Sequence, residues 1–208
     1  MHAIPQWPVM MYYHAWPEHD RYQEPLKQVC RALEQQRNHS GVAPDAKQGL
    51  YESTFDFVKQ DNEAVKAWSD WATACVFQCA QHACGPAWPP GVKIAVELHE
   101  SWCHITRSGG YHDVHIHPNS SWSAIYYLDC GDMDIATKNG INRFYRPYDT
   151  AYTDAGTTWM TVNNTIDINA QAGMMVMFPS WIQHSALPYH GARDRFVLSF
   201  NSKVHFTQ

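Results

Sequence analysis

What this chain has little of narrows its function first. Charged residues make up only 17% of the 208 positions, the formal net charge is -5, and no run of lysine or arginine stands ready to track a phosphate backbone. Nucleic acid is therefore not an expected partner. No apolar run approaches the roughly 20 residues that span a bilayer. The opening stretch MHAIPQWPVMMYY has no basic segment and is interrupted by Pro5 and Pro8, so it does not read as a secretion signal. A cytoplasmic location without a membrane partner is the expectation. Internal repeats and low-complexity tracts are absent. The six cysteines, Cys30, Cys75, Cys79, Cys84, Cys103 and Cys130, offer no second pair to complete a four-ligand zinc set around Cys75 and Cys79. Reduced, mostly buried thiols are expected instead.

What is present is a hydrophobic share of 45%, with 9 Trp and 11 Tyr, enough for one broad aromatic core or an aromatic-lined pocket. The length suits one domain and is short for two. We read it as one unit, residues 1–208, with a helical part over 1–90 and a β core over 91–208. A first helix is expected to open at Glu24-Pro25, with Leu26, Val29, Cys30 and Leu33 at helical spacing. Residues 41–54 read as a loop. A second helix follows Asp61 as N-cap and ends at Gly85-Pro86. Beyond Pro89-Pro90 the period changes to two. Strands are expected from residue 93, then at 112–117, 122–129, 142–146, 158–162, 165–168, 174–179, 182–187 and 194–204. The fold class is mainly β (α+β): a mostly antiparallel sandwich or barrel with helices on an outer face.

The segment GGYHDVHIHPNSSWSAIYYLD, residues 109–129, concentrates the chemistry. In a regular strand His115 and His117 share a face and can hold one divalent metal. A third donor, His184, ends GMMVMFPSWIQH, and a returning strand could place it beside that pair. Three facial ligands leave positions open for substrate and oxygen. The alternative is surface histidines in a chain that has 13 of them. Arg195, in RFVLSFN, would project into the same barrel, where a buried guanidinium needs an anion. That anion is either a cosubstrate carboxylate or an Asp or Glu of the chain.

Taken in order, GGYHDVHIHP, SAIYYLD, AGMMVMFPSWIQH and RFVLSFN resemble the Fe(II)/2-oxoglutarate-dependent oxygenase superfamily, nearest its prolyl-hydroxylase-like branch, over residues 93–204. The resemblance implies a double-stranded β-helix (a jelly-roll or cupin-like barrel) with N-terminal helices on its outer face. It implies Fe(II) held by His115, His117 and His184. Arg195 and Tyr127 would hold the distal carboxylate of 2-oxoglutarate. Oxygen is then consumed, succinate and CO2 leave, and a substrate C–H bond is oxidised, by default hydroxylated. The departure from the pattern is His117, where the superfamily usually carries Asp or Glu. Asp113 is the alternative carboxylate ligand, and His112 reads as a surface histidine.

A small-molecule or amino-acid-type substrate is expected, and the reading allows a homodimer. Trp102, His104, Trp122, Arg146 and Trp181 are candidate pocket residues, each with a core or surface alternative. Residues 130–160 read as a long polar excursion suited to a lid or a binding loop. Two other functions stay open. One is a cupin-type three-histidine dioxygenase that does not use 2-oxoglutarate, although Ser121 and Trp122 stand where its glutamate is expected. The other is a metal-binding barrel that catalyses nothing.

Overall fold

The computed structural model describes residues 9–39, 49–88, 91–147 and 164–207. Its strands are β1 (Tyr12–Ala15), β2 (Leu50–Glu52), β3 (Lys93–Thr106), β4 (His112–His115), β5 (Trp122–Asp129), β6 (Asn142–Tyr145), β7 (Thr165–Asp167), β8 (Met174–Pro179), β9 (His184–Ala186) and β10 (Arg195–Thr207). The two long helices are α1 (His19–His39) and α2 (Glu63–Cys84). The major sheet has the order β1-β8-β5-β10-β3-β2 and the minor sheet β4-β9-β6-β7. Every neighbouring pair is antiparallel. The fold is mostly β, two antiparallel sheets face to face, as the sequence pattern predicts.

Helix α1 begins five residues before the expected Glu24-Pro25 start, and Pro25 lies inside it. Tyr22 explains the early start. It sits one turn above Leu26 and two above Cys30 on the same buried face, stacked on Trp16 at 5.5 Å. Helix α2 is capped by Asn62 rather than Asp61. The Asn62 Oδ1 accepts from the backbone N–H of Ala64 at 2.9 Å and Val65 at 3.3 Å. Gly85 closes the helix with a positive φ of 50°. Val65, Trp68, Ala72, Val76 and Cys79 line its buried stripe and meet Tyr126, Leu198 and Phe200 of the major sheet. The Cys75 and Cys79 thiols are buried there and pushed up to about 12, so they serve packing. All six cysteines are free thiols. No helix among the described residues is long and apolar enough to cross a membrane.

The helical reading of the first ninety residues missed β1 and β2. At four and three residues they are too short to display a period, and tertiary pairing makes them strands, each as an edge of the major sheet. β3 begins at Lys93 as expected, and the inside-outside alternation of burial stops after Leu98. It continues to Thr106 because Ser101–Thr106 are buried on both faces. The expected strand 158–162 lies outside the described residues, as does 148–160 of the expected excursion. Its first part is a compact loop rather than a free lid. The Asp132 carboxylate accepts from the backbone N–H groups of Ala192 and Arg193, and Asn139 donates to the Asp132 carbonyl. The chain then enters the minor sheet as β6.

Candidate active site

Between the sheets lies a cavity of about 250 Å³. Trp102, His104, Ile125, Val197, Ser199 and Asn201 face it from the major sheet, and His115, Asn142 and His184 from the minor. The apolar floor is the second core, in which Ile125, Phe144, Phe178 and Val197 interlock.

His115 ends β4 directly opposite His184 on β9, so two chain segments 69 residues apart bring their imidazoles within 4.3 Å, centroid to centroid. His117 does not lie on the strand as expected, because β4 stops at His115. Its backbone N–H instead donates to the Ser180 carbonyl, which turns the ring back to 5.0 Å from His115 and 5.1 Å from His184. The ligand atoms of the three histidines all lie within 4.8 Å of one another. His115 Nδ1 faces the Asp113 carbonyl at 2.7 Å and His184 Nδ1 the Ile182 carbonyl at 3.0 Å. Each Nδ1–H donates to its carbonyl, which fixes the tautomer and leaves the Nε2 lone pair for a metal. Burial, then the neighbouring His115, holds His184 down at about 3 and His117 at about 4, so both are neutral donors near pH 7. Phe144 stacks on His184 and Phe178 meets its edge, which fixes the ring. Asp113 is exposed and, among the described residues, belongs to no cluster of potential ligands. The donor set fits a borderline divalent ion such as Fe(II).

Arg195 lies across the cavity at the start of β10, 3% exposed. Its Nη2 donates to Asn142 Oδ1 at 2.7 Å, while its Nε has no hydrogen-bond partner. Its charge faces the Tyr127 ring at 5.6 Å. Among the described residues it makes no ion pair with Asp or Glu, so the alternative of an internal salt bridge is not realised. A buried cation with an unused donor, lining a cavity, fits a ligand carboxylate. Tyr127 is fully buried beside it but does not line the cavity, and its hydroxyl donates to the same Asn142 Oδ1 at 3.0 Å. Asn142 was not anticipated. Its only sequence signal is its place two residues after the Asn139-Gly140 turn.

The proposed pocket aromatics divide. Trp102 and His104 line the cavity. Trp122 does not: it belongs to the helix-side core, edge-on to Tyr12 at 5.6 Å, because its position on β5 points away from the minor sheet. Trp181 is 54% exposed and Arg146 lies by Val9 and Met11, both outside the cavity. His112 also departs from expectation. An irregularity in the β4–β9 register between His112 and His115 turns it into the cavity, 4.7 Å from His104. Glu52, on the unexpected β2, joins them there.

A family model described as "Putative 2OG-Fe(II) oxygenase" matches residues 100–201, the span from β3 to β10 that carries the cavity. Solved structures agree on the fold. A prolyl-4-hydroxylase from Pseudomonas putida is 18% identical, covering 96% of this chain and 93% of its own, with a TM-score of 0.55. HygX from Streptomyces hygroscopicus, solved with nickel, 2-oxoglutarate and hygromycin B, is 10% identical, covering 93% and 82%, with a TM-score of 0.61. A prolyl hydroxylase from Trichoplax adhaerens, in complex with a hypoxia-inducible-factor degradation-domain peptide, is 14% identical, covering 92% and 82%, with a TM-score of 0.57. No match is found among curated proteins. Residues 100–201 thus match the Fe(II)/2-oxoglutarate oxygenases, enzymes whose cofactors are Fe(II), 2-oxoglutarate and O2, and the chain has the fold of the solved members.

Proposed function

We propose that this oxygenase hydroxylates, or otherwise oxidises, a C–H bond of a small-molecule or amino-acid-type substrate within the 250 Å³ cavity. His115, His117 and His184 hold Fe(II), and Arg195 binds the distal carboxylate of 2-oxoglutarate. The observation that carries this reading is Arg195, a buried guanidinium without a carboxylate partner in the same cavity as three converging imidazoles.

The metal, with O2 and 2-oxoglutarate, supplies the oxidising power, and succinate and CO2 are released. The protein supplies order. Arg195 neutralises one end of the cosubstrate, and Asn142 fixes the guanidinium by accepting from Nη2 while Tyr127 shares the same oxygen. Phe144 and Phe178 hold His184 and keep water from its buried side. Three neutral imidazoles lack the negative charge of a carboxylate, so the site stays more positive and leans on the anionic cosubstrate for neutralisation. Glu100 also lines the cavity and favours a substrate with a hydrogen-bond donor or an amine. One domain over 1–208 and a cytoplasmic setting, supported by six free thiols, complete the reading.

The test is an anaerobic titration of the Fe(II)-loaded protein with 2-oxoglutarate, followed by the visible metal-to-ligand charge-transfer band. A band lost in both His184→Ala and Arg195→Ala supports the assignment. Iron binding without a band in the unaltered protein defeats it.

A further inference from the structure

Glu52, His104 and His112 form a second convergence of metal-ligating side chains, on elements that the three-histidine cluster does not use for its ligands except β4. Glu52 and His104 are directly paired across β2 and β3, so their side chains share a face. His112 reaches them from the first residue of β4, an edge of the minor sheet, just as β2 is an edge of the major one. The cluster therefore bridges the two sheets where they open to the cavity.

The spacing is that of a coordination sphere. Glu52 Oε2 lies 2.7 Å from His104 Nε2 and 3.5 Å from His112 Nε2, and the two Nε2 atoms are 3.2 Å apart. Metal–ligand bonds of about 2.1 Å put neighbouring ligand atoms about 3.0 Å apart in an octahedron and about 3.4 Å apart in a tetrahedron. The three distances straddle those values.

At His104 the hydrogen bonds conflict. The indole N–H of Trp102 donates to His104 Nε2 at 3.0 Å, which requires the lone pair on that nitrogen. Glu52 Oε2 is an acceptor turned toward the same lone pair. Protonating Nε2 would satisfy Glu52 and set two N–H groups against each other at Trp102. A cation between Glu52, His104 and His112 takes one lone pair from each and removes the clash of two acceptors at Glu52 and His104, and the Trp102 N–H then gives up His104 as its acceptor.

The geometry points to a second divalent-cation site, formed by Glu52, His104 and His112 beside the three-histidine cluster and open to the same cavity. Two imidazoles and one carboxylate suit a borderline ion such as Zn2+, Co2+ or Fe2+. The site does not depend on the three-histidine assignment. Its nearest approach to that cluster is His112 to His115, with ring centroids 5.5 Å apart.

Metal counting on the full chain tests it. The protein is stripped with chelator, dialysed to equilibrium against Co2+, and analysed for bound metal and for the visible ligand-field spectrum. Two equivalents are expected in the unaltered protein, one in Glu52→Gln and in His112→Asn, and one with a different spectrum in His184→Ala. Both rim substitutions spare the core, and thermal melting verifies that each variant is folded. A metal count that neither Glu52→Gln nor His112→Asn lowers overturns the site. So does a single equivalent that Glu52→Gln and His184→Ala each abolish, which would mean one mixed site. A single equivalent lost in Glu52→Gln and kept in His184→Ala would leave this site standing and remove the three-histidine reading instead.

Discussion

Arg195 and Tyr127 point at one atom, the Oδ1 of Asn142, the first at 2.7 Å and the second at 3.0 Å. Three residues from β10, β5 and β6 thus meet in a buried knot that joins the two sheets. The amide oxygen carries only a partial charge, so it orients the guanidinium without neutralising it. Burial pulls the Arg195 pKa down from its ordinary value, the mark of a charge held out of water without a full counter-charge.

Replacing Arg195 by Met should therefore separate stability from function. A buried unpaired cation exchanged for an apolar chain of similar length is neutral or stabilising, by up to about 4 kcal/mol. Asn142 keeps its Tyr127 hydrogen bond. Thermal melting without ligand should give a Tm equal to or above the unaltered protein. Added 2-oxoglutarate at about 100 times its Kd should stabilise the unaltered protein by about 2.7 kcal/mol and leave Arg195→Met unmoved.

Asn142→Asp should reach the same end by the opposite change, adding an anion instead of removing the cation. A carboxylate at 2.7 Å from Nη2 completes an ion pair and competes with the cosubstrate for the same cation. Melting should rise or hold, and 2-oxoglutarate affinity should fall by about tenfold or more, equivalent to about 1.4 kcal/mol. Calorimetric titration reads the second quantity. An unchanged Kd would place the cosubstrate carboxylate elsewhere.

Trp122 and Trp181, both candidates for the pocket by sequence, should behave as core and surface. Trp122 is 9% exposed in the helix-side core, and Trp122→Ala should cost about 3–5 kcal/mol in urea unfolding. Trp181 is 54% exposed, and Trp181→Ala should stay within about 0.5 kcal/mol. Neither should shift the midpoint of iron binding in the folded protein. Trp102→Phe, by contrast, removes the N–H that His104 accepts and should alter binding in the cavity.

The Lys27–Asp129 pair ties α1 to the end of β5 at 2.8 Å, with side chains 12% and 23% exposed. Burial alone would raise Asp129, but hydrogen bonds from Lys27 and from the Gly131 N–H outweigh it and lower its pKa. Burial alone would lower Lys27, and the bonds to Asp129 and Glu24 outweigh it and raise it. A lowered carboxylate stabilises the fold above its unfolded value of about 3.9 and loses that contribution as pH falls through the folded value. A raised lysine contributes below about 10.4 and loses it as pH climbs through the folded value. Lys27→Met should therefore flatten the stability profile below about pH 4 and above about pH 10, with a plateau difference of about 1 kcal/mol after screening. Urea melts across pH give the profile.

The sequence by itself determined the elements whose period is local. β5 and β8 fall at their expected limits, since Trp122–Asp129 and Met174–Pro179 are long apolar runs between turn residues. The ends of α2 were legible to within a residue because caps are written in the chain. The order of HxH, distal histidine and arginine pointed to the superfamily, because β4–β9 pairing sets His115 beside His184 and the chain just past β4 turns His117 back toward them. Tertiary structure alone decided the rest. β1 and β2 are strands only because a sheet edge accepts them, and so Glu52 entered the cavity unannounced. The β4 register break that turns His112 inward depends on its partner β9, 69 residues away between His115 and His184. Whether Arg195 meets an Asp, a Glu or an amide is likewise a question of what stands across the gap between sheets. A sequence states each side chain's chemistry and its local period, but the partner across a sheet is chosen by packing the whole chain at once.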